Sequence, residues 1–376
     1  MESYFLIMFA FLLVGVFALP EQFEKPFDTN NVGKPAAPAK TYIVDLDLAP
    51  SERWKNLIEG YDLTYLKQGL NQIIDAVVPS PELTNVIQRI LGDLDKFIPE
   101  PYADEMRGLS DSSGIPLGQI VLINLIYDFT AYASNSSSKA CTSIVTRNKL
   151  GQIIQGRNLD YELSPSVLRN ITIQVDFQQN GKTAYMGTTY VGYIGLITGY
   201  RPGAFSISGD ERDSGNIWFN ILAALEGSHF TFFTERRILQ ESSDYVSALN
   251  QVTNTPTIAP VYFILGGLKG NEGAIIVKNS KTTEAVIRLG ENFTHPWFIV
   301  ETNYDPWNKP PKSDDRRDAA IASLVKIGEK SMNRTELYKV LSTPPVFNDQ
   351  TSYTTIMSAA QSYYHTMVRY DAPALK

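Results

Sequence analysis

Cysteine is almost absent, with Cys141 alone in 376 residues. No internal disulfide can form, so core burial must hold the fold. A chain of 376 residues is long enough for that, since chains of this size bury about 75% of the surface their unfolded form exposes. Histidine is scarce as well: only His229, His295 and His365 occur, and no Cys or His pair has metal-ligand spacing. Basic residues are outnumbered, leaving a formal charge of −7. That balance argues against nucleic acid as a partner, because phosphate binding needs a basic face. It also suits an acidic compartment, where the negative charge is titrated away.

Long apolar runs are missing with one exception. Phe5 to Leu19 is almost unbroken and ends at Pro20-Glu21-Gln22. It falls short of the ~20 residues that span a bilayer and reads as a secretory signal peptide over residues 1–19, although Glu2 replaces the usual basic start. Behind it stand four sequons, at Asn135, Asn170, Asn292 and Asn333. They point to a glycosylated lumenal protein with each of these asparagines on the surface.

What is present divides at the cysteine. Residues 20–140 read as mainly helical. Leu66, Leu70, Ile73, Ile74 and Val77 recur at three- and four-residue steps, and Leu83, Val86, Ile87, Ile90, Leu91 and Leu94 predict a second helix that Pro99 stops. Pro116 to Tyr127 has little polar face and predicts a buried helix, with lipid contact as the alternative. Ala133 to Lys139 reads as an exposed loop, where a cut would disturb neither side. Residues 141–376 turn strand-like. Thr142 to Val145 and Gln152 to Gln155 flank Asn148-Lys149-Leu150-Gly151, a hairpin that would bring Arg157 and Asp160 back beside Cys141. Further strands are predicted over Ile171 to Phe177, Val191 to Thr198, Val261 to Leu265, Ala274 to Lys278 and Phe298 to Thr302. Helices are predicted near Trp218 to Leu225, Tyr245 to Thr253 and Ala319 to Ile327. The mixture predicts a layered α+β core.

The lone thiol, with an arginine and an aspartate close behind it, suggests a nucleophile. A papain-like pair would need a histidine base, and none of the three sits in a recognisable catalytic setting. Another base exists if the peptide bond after Ala140 is broken, because Cys141 then carries its own α-amine. Its ordinary pKa, near 8, lies far closer to working pH than that of lysine.

The runs Cys141-Thr142-Ser143-Ile144-Val145, Gly156-Arg157-Asn158-Leu159-Asp160-Tyr161, Gly192 to Gly199, Ser208-Gly209-Asp210-Glu211-Arg212-Asp213, Glu301-Thr302-Asn303-Tyr304-Asp305 and Lys312 to Arg317 resemble the ordered signature of the lysosomal lipid amidases. That family comprises the acid ceramidases and N-acylethanolamine-hydrolysing acid amidases, relatives of bile salt hydrolase among the N-terminal nucleophile hydrolases. The Gly209 to Asp213 and Lys312 to Arg316 runs are more similar to the N-acylethanolamine branch.

The resemblance implies a four-layer αββα sandwich of a catalytic β-subunit (141–376), capped by a helical α-subunit (20–140) that stays associated without a covalent link. It implies cleavage between Ala140 and Cys141. Cys141 would be the nucleophile, with Arg157 and Asp160 positioning its thiol and amine. Asn303 would donate to the oxyanion, and Glu211 and Arg316 would line the site. An apolar channel between the subunits would hold a fatty acyl tail, with no metal or organic cofactor. The lysosome is the expected location, and a membrane surface an expected partner.

Taken singly, Arg157 and Asp160 could be an ordinary ion pair, Asn303 a turn residue, and Glu211 and Arg316 solvated charges. Tyr193, Trp218, Phe219 and Trp307 read as core aromatics, some of which could line an acyl tunnel. Ceramide is the alternative substrate. A lipid-binding protein without turnover is the alternative of another class.

Overall fold

The computed structural model describes residues 34–77, 98–130, 141–161, 165–212, 229–292 and 294–373. The leader, the helix expected over Leu83 to Leu94, the loop at Ala133 to Lys139, Ala140, the sequon at Asn135 and the helix expected near Trp218 lie outside them.

Fourteen strands among the described residues form two sheets. In chain order they are β1 Ala37–Pro38, β2 Thr41–Asp45, β3 Cys141–Arg147, β4 Ile153–Asp160, β5 Thr172–Gln179, β6 Lys182–Tyr190, β7 Thr198–Arg201, β8 Phe205–Glu211, β9 Val261–Gly266, β10 Gly273–Lys278, β11 Thr283–Arg288, β12 Phe298–Glu301, β13 Thr351–Ser358 and β14 Tyr363–Val368. One sheet runs β1-β14-β13-β4-β3-β12, the other β11-β10-β9-β8-β7-β6-β5-β2. Helices cover the outer faces. Those used below are α1 Lys55–Glu59, α2 Thr64–Val77, α3 Tyr102–Ser113, α4 Leu117–Thr130, α5 Pro165–Ile171, α6 Thr231–Glu241, α7 Tyr245–Asn254, α8 Arg316–Ile327 and α9 Arg334–Leu341.

Three apolar clusters define four layers. Ile144, Ile154 and Ile356 of the six-stranded sheet pack on Ala320, Leu324, Leu337 and Leu341 of α8 and α9. Phe177, Phe205, Ile207 and Phe263 of the eight-stranded sheet pack beneath α1 to α4, α6 and α7. Val145, Ile153, Tyr262, Ile264, Ile275 and Ile299 fill the space between the sheets. This is the expected αββα sandwich.

The segment before Cys141 is helical as expected, yet it is more than a cap. β1 pairs with β14 and β2 runs parallel to β5, so it lays an edge strand on each sheet. Its α3 also sends Glu105 into the core, where Arg236 of α6 grips both carboxylate oxygens at 2.5 and 2.7 Å. Trp54 Nε1 and Arg53 Nη1 donate to the same carboxylate at 2.7 and 3.0 Å. In α4 the residues Ile120, Val121, Leu122, Ile123 and Leu125 are buried, so burial accounts for its apolar face. Among the described residues no helix is long and apolar enough to cross a membrane.

One expected strand is a turn. Val191 to Ile197 is irregular and opens with Gly192 at φ 86°, a left-handed conformation that glycine adopts without strain. Asn124 of α4 replaces the missing ladder, donating to Gly192 O at 2.8 Å and accepting from Ile194 N at 2.8 Å. The run is apolar because it is buried under α4, and that gave it the look of a strand.

Candidate active site

The hairpin after Cys141 forms as its sequence directs, with Gly151 at φ 74° closing the turn. Register sets Cys141 opposite Leu159 and Ser143 opposite Arg157. Alternation along the strands then sends Cys141, Ser143, Val145, Gln155 and Arg157 toward the space between the sheets, while Ile144 and Ile154 face α8 and α9. Arg157 is thus the diagonal neighbour of Cys141, within reach of a long side chain. Gly156 permits the close fit behind it: a Cβ there would lie 2.8 Å from Leu341 Cδ1 and 2.9 Å from Ile356 Cδ1.

The thiol is buried, and Arg157 Nη2 donates to Cys141 Sγ at 3.1 Å. Arg157 is itself clamped. Its Nη1 donates to Ile197 O at 2.9 Å and Thr198 Oγ1 at 2.7 Å, and its Nη2 also reaches Gly209 O at 3.1 Å and Asp210 Oδ1 at 3.3 Å. Asn303, just past β12, accepts from the Cys141 backbone N–H through Oδ1 at 2.6 Å. Arg316, first residue of α8, donates to Cys141 O at 2.5 Å and to Asn303 Oδ1 at 3.1 Å, while Asp314 holds its far side. Asp160 closes β4. Its Oδ2 accepts from Asn348 at 3.3 Å and lies 3.9 Å from Arg316 Nη1. Glu211 takes part through its backbone, with its carbonyl accepting from Asn303 Nδ2 at 2.8 Å, and it lines the pocket.

All six residues singled out in the sequence therefore meet, but two are arranged differently from expectation. Asn303 presents its oxygen to the Cys141 N–H, and one of its two amide hydrogens goes to Glu211 O. The group that receives the Cys141 N–H is Asn303 and not Asp160. Burial sets the titration of the site. It pushes the thiol up to about 12 despite the Arg157 charge, and the Asp210 and Asp160 charges push the same way. The same burial raises Asp160 to about 6, opposed mainly by Arg316, and Asp210 to about 7, opposed mainly by Arg157. In the continuous chain Cys141 is held as a thiol.

An apolar pocket of about 110 Å³ opens onto the sulfur. Leu66, Leu70 and Ile123 of the segment before Cys141 form one wall, and Val167, Leu168 and Ile171 of α5 form another. Asp160 and Glu211 give it a polar end at the thiol. Tyr193 is buried and lines this pocket, whereas Trp307, expected in the core, is half exposed. Sequence reading also missed Asp210, Ser143, Thr198 and Tyr353 around Arg157; period-two alternation from Cys141 was the signal for Ser143. The histidines stay apart from the thiol: His295 stacks on Phe298, His365 sits in β14, and His229 lies 3.3 Å from Arg237. Among the described residues no cluster could hold a metal ion. Asn292 and Asn333 are exposed, as a glycan needs, while Asn170 is half-buried and donates to Ser166 O.

A family model for linear amide C–N hydrolases of the choloylglycine hydrolase family matches residues 141–324 and so begins at the thiol. A second, for the beta subunit of N-acylethanolamine-hydrolyzing acid amidase, matches residues 37–98; its lettering differs from the one used above, where that segment is the α-subunit. N-acylethanolamine-hydrolyzing acid amidase of Mus musculus is 41% identical over 87% of this chain and 88% of its own length. Acid ceramidase of Mus musculus is 34% identical over 89% and 87%.

The chain belongs to the acid amidase and acid ceramidase family.

A solved structure of the Caenorhabditis elegans N-acylethanolamine-hydrolyzing acid amidase ortholog, 39% identical, aligns with a TM-score of 0.54 over 58% of this chain and 93% of that one. Family membership makes the chain an amide hydrolase of N-terminal nucleophile type. In this structure Arg157 touches the Cys141 sulfur and the Asn303 side chain touches the Cys141 nitrogen.

Proposed function

We propose that this chain is cut after Ala140 and then hydrolyses fatty acid ethanolamides to fatty acid and ethanolamine, working in the lysosome as two non-covalently held subunits. The observation that carries the reading is the pocket: an apolar cavity, walled by both segments, that ends on a thiol touched by an arginine. An apolar wall of this kind would bury the part of an acyl chain next to the amide, whose carbon would then lie at the sulfur. Cutting supplies the base that the continuous chain lacks. The new α-amine takes the thiol proton, and the sulfur attacks the carbonyl carbon. Asn303 would donate its second N–H to the resulting oxyanion. The ammonium returns a proton to the departing amine as the C–N bond breaks, and water then cleaves the thioester to release the fatty acid. Arg316 holds the Cys141 carbonyl, so the nucleophile keeps its place once it becomes a chain end. The leader and sequons support passage through the secretory pathway, and peripheral membrane contact would deliver the lipid.

Ceramide is the second reading, favoured by the similarity to acid ceramidase, and the acyl wall does not discriminate between the two. The test is one paired assay. Purified protein is held at acidic pH, checked for fragments of about 13 and about 26 kDa before glycans at roughly 110 Da per residue, and given palmitoylethanolamide and a ceramide. Faster hydrolysis of palmitoylethanolamide supports the proposal, and faster hydrolysis of ceramide replaces it. No hydrolysis of either leaves a lipid-binding protein.

A further inference from the structure

The reaction above leaves unused a row of buried polar side chains behind Arg157. Ser206 Oγ donates to Gln155 Oε1 at 2.7 Å, and Gln155 Nε2 donates to Ser208 Oγ at 3.0 Å. Ser208 and Ser143 hydroxyls lie 3.0 Å apart, and Ser143 Oγ donates to Asp210 Oδ1 at 2.8 Å. Asp210 Oδ1 then faces Arg157 Nη2, whose other neighbours are Gly209 O and the sulfur. Each of these side chains is fully or almost fully buried.

The row has a direction. Gln155 Nε2 also donates to Ile264 O at 3.1 Å, which fixes its amide with nitrogen toward Ser208. A serine has one proton, and that of Ser143 goes to Asp210, so the Ser208 hydroxyl is the donor to Ser143. Every donor therefore points toward Asp210, and such a chain strengthens its last acceptor. It crosses repeatedly between β8 of one sheet and β3 and β4 of the other, so its geometry is tied to the packing of the whole sandwich. At its end Nη2 has two hydrogens for three acceptors. How firmly Asp210 takes its share governs where the guanidinium sits relative to the sulfur. The charged groups facing Asp210 are Arg157, then Arg316 and Asp160, with Glu235 and Glu301 behind.

We propose that Asp210, held by the Gln155–Ser208–Ser143 row, is a positioning residue that aims Arg157 Nη2 at the Cys141 sulfur. The inference rests on Cys141 being the nucleophile and on no particular substrate. Asp210→Leu removes the acceptor and keeps the branching at Cγ. In the full chain it slows self-cleavage, lowers kcat of the cleaved enzyme by up to about 100-fold through misplacement of the cation, leaves KM within about twofold because no acyl contact is lost, and shifts the pH profile of Cys141 alkylation by iodoacetamide. Asp210→Asn keeps an acceptor oxygen and recovers most of the loss. Ser143→Ala gives a smaller change in the same direction. An alkylation profile and kcat equal to wild type in Asp210→Leu would overturn the proposal, as would a loss confined to KM. If Asp210→Leu does not fold, Ser143→Ala and Ser208→Ala decide, and unchanged alkylation profiles in both overturn it. Alkylation reports on the thiol whatever the substrate. A shifted profile in a protein that hydrolyses no fatty amide would sustain this inference and sink the hydrolase reading alone.

Discussion

Two arginines lie fully buried beside fully buried acids, and they behave oppositely. Arg236 meets Glu105 through two short bonds, and Trp54 and Arg53 complete the carboxylate. Glu105 is held below its ordinary value: burial opposes ionisation, and the Arg236 charge and hydrogen bonds outweigh it. Arg157 meets Asp210 through one long bond, and Asp210 Oδ2 and Arg157 Nε find no partner among the described residues. There burial wins and Asp210 rises to about 7. Equal burial and equal residue types thus give a clamp where every polar atom is satisfied, and a reactive centre where some are not. The clamp joins the segment before Cys141 to the one after it. In the centre, Arg157 Nη2 divides its two hydrogens among Asp210, Gly209 O and a sulfur.

The contrast can be broken or sharpened by experiment. The largest effect belongs to the centre: Cys141→Ala should abolish self-cleavage and lower fatty amide hydrolysis by at least about 10,000-fold, as loss of a nucleophile does. Surviving turnover in that variant would remove the nucleophile from Cys141. Glu105→Gln strikes the clamp and should cost about 3–5 kcal/mol, because Arg236 is left charged and buried. Denaturant unfolding measures it, and a change under about 1 kcal/mol would mean that the pair is not a clamp at all. Asn303→Ala, which removes the acceptor of the Cys141 N–H and the proposed oxyanion donor, should lower kcat roughly 100-fold.

The pH dependence of stability separates the two regions by sign. Asp128, Asp160 and Asp210 are raised by burial to about 7, 6 and 7. The folded chain keeps protons there that the unfolded chain loses near pH 4, so stability should fall as pH rises from about 4 through about 7. Glu105 works the other way: its contribution is present above its unfolded value and is lost as pH falls through its depressed folded one. Thermal unfolding scans should therefore show Tm declining by several degrees between about pH 5 and pH 8, and a Tm that climbs over that interval would contradict the raised carboxyls. The smallest effect is expected where burial is missing: Lys339→Ala breaks an exposed pair with Glu336 and should cost under about 0.5 kcal/mol by the same unfolding measurement.

The hairpin and its thiol were legible because local rules suffice there. A turn sequence fixes register, and register sets Arg157 diagonal to Cys141. Asn303 and Arg316, far along the chain, were found through motif resemblance and not through spacing. Hydrophobic periodicity located α2, α4, α7 and α8 to within a few residues. It failed for β13 and β14, whose many serines and threonines blur the apolar signal, and for Val191 to Ile197, whose apolar run is a buried turn; β8 was passed over although Phe205 and Ile207 alternate there.

The sequence alone determined the change from helical to strand-like pattern at Cys141 and the single thiol on which the proposed chemistry rests, because these depend on residue identity and near neighbours. Tertiary structure decided which face of each strand is interior. In β8, Phe205 and Ile207 alternate with Ser206, Ser208 and Asp210, a pattern that on its own reads as core on one side and water on the other. Here helices cover the apolar side and a second sheet covers the polar side, so the serines and Asp210 are buried against Ser143, Gln155 and Arg157. Alternation encodes a period of two, and only the packing of the sheets determines that both sides are dry.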